Sequence, residues 1–583
     1  MKSSMTEYFN AMQNFSGLAE FLNYAWILED GVIANKDGSL SMHFEYFAAD
    51  MESQEDYSIN MLVTKIFRAL SYLDQGWLFE ENLICNQQKS YSKVNQTRDM
   101  VTDLIDQERE NLFLKNNNIY QNQYYISFTY KASKRSLDDL RSKIYIQDDI
   151  QNADKQTLVD KEFINKFKEE VQAVIDLLQA DGIFTTKLED KYLYQFLKNM
   201  VNCSNEPVAP FDYKSFTSRL FLDESLAQSE LKTGSELKLD DKYLYCISLD
   251  DIPNHYYPTI LNSLNVMRMS FRFSARFNYL SSTEINKVFK TKHTQWSFKL
   301  FGSVKNFITS LFESANEPIK EDAHAREMIT DIELAKIREK YGSKFGLMTL
   351  TLLVWDEDRD ILKEKVAEIK NILRQENFTA RVEKVNATNS YFGSLVSHGS
   401  YNARANPVEL ELFVNMLSTT GIYQGSQYST CSFVQKQSPA LIECMTSHGY
   451  RKFYFNLHDK DVGHTKIIGP TGSGKTMLLG LIAASWLKKY DNTRVIGADY
   501  LNSMLGITKA LGGRYIDITD EHIKLAPFIE VDNEKYTKEF LIPWLKDIYK
   551  RSNKNQESGK KENKAIFDSL KSLTHIAKTE RTF

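Results

Sequence analysis

Gly469-Pro470-Thr471-Gly472-Ser473-Gly474-Lys475-Thr476 fills every fixed position of the phosphate-binding pattern G-x-x-x-x-G-K-[ST]. Upstream, His464-Thr465-Lys466-Ile467-Ile468 reads as a short buried strand. Downstream, Met477 to Leu487 reads as an apolar helix closed by Lys488-Lys489. Strand, glycine loop and helix are the context the pattern needs. Glycines let successive backbone amides turn toward a phosphate, and the helix N-terminus adds its dipole. Lys475 is the candidate catalytic cation for the β- and γ-phosphates, and the Thr476 hydroxyl is the candidate magnesium ligand. Gly469, Pro470, Thr471, Gly472, Ser473, Gly474, Lys475, Thr476 and Met477 form the candidate nucleotide-binding set, with a nucleoside triphosphate and Mg2+ as expected ligands. The loop alone does not name a reaction, because motors, kinases, GTPases and degenerate scaffolds all use it.

Beyond the helix, Thr493-Arg494-Val495-Ile496-Gly497-Ala498-Asp499 reads as the next strand, and Leu511 to Ile518 as a turn followed by another. Alternating strands and helices predict an α/β fold with a parallel sheet. From Tyr536 the pattern becomes helical. Lys550 to Lys564, with six basic and two acidic residues among Ser, Asn, Gln and Gly, reads as a flexible loop.

Toward the N-terminus, Trp26 to Asn35 and Leu40 to Tyr46 flank Asp37-Gly38, the signature of a hairpin. Ile59, Leu62, Val63, Ile66, Phe67 and Leu70 share one helical face, and Trp77 to Cys85 and Tyr124 to Tyr130 read as strands. Lys131 to Lys168 is polar and charge-dense, and reads as a loop or insertion ahead of a helix over Val171 to Leu178. Tyr243 to Leu249 reads as a strand, Thr283 to Lys340 as largely helical, and Leu347 to Val385 as a strand-helix-strand unit. Within it, Leu350 to Glu357 imitates the apolar strand ending in Asp-Glu that P-loop motors use for magnesium and water. It precedes the loop by more than a hundred residues, so Asp356 and Glu357 are read as acidic residues capping a strand and helix.

At 583 residues, 42% apolar and 26% charged, the chain is globular in composition and long enough for three or four domains. A net charge of −5 neither demands nor excludes nucleic acid. Cys85, Cys203, Cys246, Cys431 and Cys444 show no paired spacing, which points to thiols in a reducing compartment and a cytoplasmic location. No apolar run approaches the ~18 to 20 residues of a spanning helix, so any membrane association is expected to be peripheral. His458 and His464, six apart without a cysteine partner, fit zinc poorly and read as buried, hydrogen-bonded imidazoles.

Phe455-Asn456-Leu457-His458, Asp461-Val462-Gly463-His464-Thr465, the loop, Ala498-Asp499 and Ala510-Leu511-Gly512-Gly513-Arg514-Tyr515 together resemble the motor domain of the TrbE/CagE group of type IV secretion and conjugation ATPases. Ser438 to Leu441, Phe271-Arg272-Phe273 with Arg276-Phe277, Trp296 and Asp37-Gly38-Ser39 extend the likeness over most of the chain. The resemblance implies a cytoplasmic-face ATPase, using ATP and Mg2+, that energises channel assembly and export of protein or relaxase-bound DNA. It implies other components of the secretion channel as partners, a homo-oligomer for intact members, and a peripheral place at the inner membrane. Asp499 matches an acidic position at the end of the second motor strand and is the second candidate catalytic residue.

The expected organisation is an N-terminal α+β domain over 1–130, a charged insertion over 131–168, a TrbE/CagE-type central domain over 169–390, a connection over 391–455, and a partial, RecA-like P-loop motor with a helical insertion over 456–583. Nothing after Thr476 resembles the acidic magnesium strand, and the ending looks like an interior helix of the family's motor. A truncated chain is therefore expected. Two alternatives stand beside the ATPase reading: a DNA-translocating P-loop motor, and a hydrolysis-incompetent assembly subunit.

Overall fold

The computed structural model describes residues 17–50, 55–88, 91, 99–115, 119–131, 161–205, 222–234, 236–250, 252–253, 255–300, 323–434, 438–447, 450–520 and 525–581. The expected insertion falls largely outside them, as does the middle of the helical stretch before Lys340. The chain forms two compact units: Met1–Lys93 with Gln107–Thr465, and Val94–Asp106 with Lys466–Phe583.

The first unit is built on a 13-stranded sheet. Its central run is Leu40–Tyr46, Tyr120–Tyr130, Trp77–Gln87, Phe271–Tyr279, Phe345–Asp356 and Lys242–Leu249, each antiparallel to its neighbour. Trp77–Gln87 pairs with Tyr120–Tyr130 on one side and Phe271–Tyr279 on the other. One continuous sheet thus runs through both the first 130 residues and the central region.

Helices cover both faces, which is why strands such as Phe345–Asp356 read as mostly apolar runs rather than as strict alternation: successive side chains alternate sides, yet both sides are buried. On one face Phe79, Phe128, Phe273 and Leu352 pack with helices Asp56–Leu70, Lys161–Ala180 and Arg359–Gln375. On the other, Ile84, Tyr125, Cys246 and Leu353 pack with helices Asp190–Asn202 and Ala387–Gly393. The hairpin is present between Ile33–Asn35 and Leu40–Tyr46, but the stretch read as one strand over Trp26 to Asn35 is broken by a turn at Glu29–Gly31 into Tyr24–Ile27 and Ile33–Asn35, which pair with each other. Gly38 takes φ of +81°, open to glycine at no steric cost, and Asp37 Oδ1 accepts from Ser39 N at 3.1 Å and Ser39 Oγ at 2.7 Å.

A polar row crosses the second face. His43, Ser127, Glu80, Arg276 and Thr349 are cross-strand neighbours in turn, all buried. His43 Nδ1 lies 2.7 Å from Ser127 Oγ, and Arg276 Nε lies 2.9 Å from Glu80 Oε1. Arg276 also donates to the carbonyls of Gly393, Tyr401 and His398. Glu80 Oε2 accepts from Ser397 N at 2.7 Å. Burial holds the His43 imidazole down at about 3 and His398 at about 4, so both are neutral near pH 7.

Asp356 and Glu357 behave as strand-end residues. Asp356 Oδ1 accepts from Asp358 N at 2.9 Å, Asp356 pairs with Lys365, and Asp358 caps helix Arg359–Gln375 through the amides of Asp360 and Ile361.

The second unit departs from expectation. Residues 466–468, 493–499 and 515–518 are irregular and make no ladder hydrogen bonds among the described residues, so no parallel sheet forms there. A strand exists only as a partner: its amides and carbonyls need a neighbour about 4.8 Å away. Consecutive parallel strands joined by a helix need not be adjacent, so sequence periodicity alone cannot supply that neighbour. The basic stretch near the end is mostly helical, since Ile542–Ser552 and Lys560–Leu573 enclose only 553–559 as a connection. Basic side chains on exposed helix turns still satisfy helix propensity, which charge density alone does not reveal.

Candidate functional site

The loop and its helix form as the sequence predicts. Helix Lys475–Lys489 starts directly after Gly474, whose φ is +86°, while Gly472 holds +84°. Both angles lie in the left-handed region where a side chain is strained, so the two glycines set the turn. The helix buries Gly480, Ile482, Ala483 and Ala484. Its last turn carries Lys488, paired with Asp103 of the same compact unit. That pair spans 385 residues, and no local signal in the sequence announces it.

Lys475 turns back over the loop, its Nζ donating to Gly469 O at 2.8 Å and Pro470 O at 2.6 Å. The bend is closed by Ser473 N donating to Pro470 O at 3.3 Å, and a Cβ on Gly469 would fall 2.6 Å from Ser473 Oγ. The first-turn amides of Lys475, Thr476 and Met477 have no acceptor among the described residues, as at any helix start. A cation on the loop's own carbonyls, beside a helix N-terminus with free donors, is a donor set suited to a polyphosphate.

Asp499 is bonded within its own turn. Its Oδ2 accepts from Met504 N at 2.7 Å, and its Oδ1 accepts from Ser503 Oγ at 2.9 Å and Leu501 N at 3.4 Å. The Met504 amide leads in holding this exposed carboxyl below the usual carboxylate range. Among the described residues no carboxylate is bonded to Lys475 or Thr476. The structure therefore brings together Gly469 to Met477 and leaves Asp499 on its own turn, ahead of helix Leu505–Ala510. His464 is exposed rather than buried, because residues 461–466 run over the surface without a covering element, and no metal-binding cluster occurs among the described residues. No helix among them is long and apolar enough to cross a membrane, and the five cysteines are free thiols.

Comparison with known proteins gives a consistent set of likenesses. Residues 31–137 match the family described as "Type IV secretion system ATPase VirB4/TrbE, N-terminal domain". Residues 181–404 match "CagE, TrbE, VirB family, component of type IV transporter system". The chain is 27% identical over 511 residues to conjugal transfer protein TrbE of Rhizobium radiobacter, which covers 86% of this chain and 61% of that protein. It is 31% identical over 326 residues to the second portion of a probable conjugal transfer protein TrbE of Sinorhizobium fredii, covering 56% of this chain and 47% of the relative. Type IV secretion system protein virB4 of Bartonella quintana is 21% identical over 476 residues, 79% of this chain and 56% of that protein. The chain thus spans between about half and three fifths of the length of these relatives.

Proposed function

We propose that this chain, which carries the VirB4/TrbE and CagE/TrbE/VirB domains of type IV transporters, is a nucleotide-binding component of a type IV secretion or conjugal transfer system, with Mg-ATP seated on residues 469–477. The observation that carries the proposal is the left-handed pair Gly472 and Gly474 opening directly into helix Lys475–Lys489, with the Lys475 ammonium held over the loop. Lys475 would neutralise the β/γ-phosphates, the first-turn amides would take phosphate oxygens, and Thr476 is the hydroxyl to hold magnesium. Magnesium supplies charge neutralisation between the phosphates. The finer architecture we assign to this region is a RecA-like motor, in which segments 466–468 and 494–498 become strands when they have neighbours. Its partners are the other channel components, and copies of itself in the intact assembly.

The alternative of a hydrolysis-incompetent assembly subunit draws on one observation: the Asp499 carboxylate is engaged by Met504, Ser503 and Leu501 rather than by the loop. Our reading gives Asp499 a turn-holding role first and a water- or magnesium-organising role second. Titration with a fluorescent ATP analogue, followed by a phosphate-release assay, tests both readings. Lys475→Ala removes a charge-assisted hydrogen bond of about 1.5 to 3 kcal/mol and weakens binding roughly tenfold or more. Equal affinity in parent and variant refutes the loop as the site. Parent turnover of about 1 s⁻¹ that is lost in Asp499→Asn favours the motor and removes the assembly-subunit reading.

A further inference from the structure

Arg272 and Arg276 stand on the same face of strand Phe271–Tyr279 and are 1% and 2% exposed. Glu80 pairs with Arg276. Arg272 has no carboxylate partner among the described residues: Nη1 donates to Met200 O at 2.5 Å, Nη2 donates to Ser394 Oγ at 2.7 Å, and Nε–H has no acceptor. A guanidinium keeps its charge inside a protein, so one buried positive charge is left uncompensated. Removing a charge from water without a partner is costly, and an anion reaching it recovers much of that cost.

Such an anion has a route. Arg272 lines a solvent-open cleft of about 560 Å³ in the first unit, between the sheet face and helix Asp190–Asn202. Asn86, Gln121 and Gln123 face it from the strands, and Gln195 and Asn199 from the helix. Side-chain amides carry both a donor and an acceptor, the same complement as a peptide backbone. Tyr125, Phe196 and Trp355 give buried apolar walls, and Tyr192 and Tyr428 stand exposed at the lining. Single-stranded nucleic acid is held by a groove of several cations with stacking aromatics. Among the described lining residues the other cation is Lys187, already paired with Glu189, and Glu45 adds an acid.

We propose that this cleft binds an extended polypeptide segment that places a carboxylate on Arg272. The carboxylate is either the segment's C-terminus or an acidic side chain. Neither the amide lining nor the unpaired Nε–H bears on nucleotide binding at the loop, so the two sites stand or fall separately.

The test is calorimetric titration of the full chain with a short peptide mixture in three forms: free C-terminal acid, C-terminal amide, and amide with one internal glutamate. Oligothymidylate is the fourth ligand. Binding of an acid-bearing form with the uncharged amide at least about tenfold weaker is expected, and the form that binds identifies the carboxylate's source. Arg272→Gln should erase the difference between forms. Because that residue is buried, Gln195→Ala and Tyr428→Ala carry the test if it unfolds: each should weaken the acid-bearing peptide severalfold with unchanged circular dichroism. Equal affinity for acid and amide, no peptide binding by the parent, peptide binding untouched by the Gln195 and Tyr428 variants, or oligothymidylate binding tighter than peptide overturns the proposal.

Discussion

Leu350-Thr351-Leu352-Leu353-Val354 and Arg494-Val495-Ile496-Gly497-Ala498 both read as strands, yet only the first is one. The first lies between Phe271–Tyr279 and Lys242–Leu249, and Leu352, Leu353 and Val354 are fully buried. In the second, Val495 and Ile496 are 47% and 87% exposed and unladdered. The difference lies in the neighbours. A β-rich sequence states a willingness to pair, and the fold supplies or withholds the partner.

The sharpest way to probe the paired region is to break its polar row. Glu80→Ala leaves the buried Arg276 guanidinium without a carboxylate, beside Arg272, which already has none among the described residues, and should destabilise the first unit by about 3 to 5 kcal/mol in urea denaturation followed by circular dichroism. A loss below about 1 kcal/mol would mean that the row is solvated in solution.

Next in size is a pH effect at Glu81. Burial raises its carboxyl to about 7 against an ordinary 4.5, despite hydrogen bonds from Tyr46 Oη and Ser418 N. Between those values the folded state holds a proton that the unfolded state has released. Its stabilising contribution is therefore complete at acid pH and is lost as pH rises from about 4.5 through about 7, by at most about 3 kcal/mol. His43 and His398 act oppositely, because their depressed values make stability fall as pH drops below about 6.5. In Glu81→Gln the histidine contribution is no longer opposed, so stability should rise more steeply between pH 5 and 7 than in the parent, checked by urea midpoints across pH. An unchanged pH profile would show that Glu81 is ionised throughout.

The smallest effect belongs to the unpaired segment. Ile496→Ser should alter stability by no more than about 0.5 kcal/mol, because the side chain it removes is already in water. A loss above about 2 kcal/mol in a thermal melt would reveal that Ile496 is buried and paired after all.

The contrast also marks how far the residues could be read unaided. The hairpin turn at Asp37-Gly38, the helix over Asp56–Leu70 and the loop-helix start at Gly474-Lys475 were legible, because each rests on contacts within a few residues; the strands over 77–85, 124–130, 243–249 and 347–355 were legible as apolar or aromatic runs, although their partners were not. Asp356 and Glu357 were legible as an acidic strand end ahead of a helix, but the residue that caps that helix is Asp358, which the reading did not single out. The joining of Trp77–Gln87 to Phe271–Tyr279 was not, since the pairing of Glu80 with Arg276 depends on register across nearly two hundred residues. Arg272 stood out only as one residue of a family likeness. Its missing carboxylate and its cleft are properties of several strands and a helix together. The strand readings around the loop failed for the converse reason, a local signal without a partner.

Amide hydrogen exchange on the full chain, with and without Mg-ATP, tests the central claim most directly. Exchange should be slow over 77–87, 120–130, 271–279 and 345–356 and fast over 493–498, with new protection on adding nucleotide centred on 469–480. Slow exchange at 493–498 in the free protein, or no protection at 469–480 with saturating Mg-ATP, would contradict it.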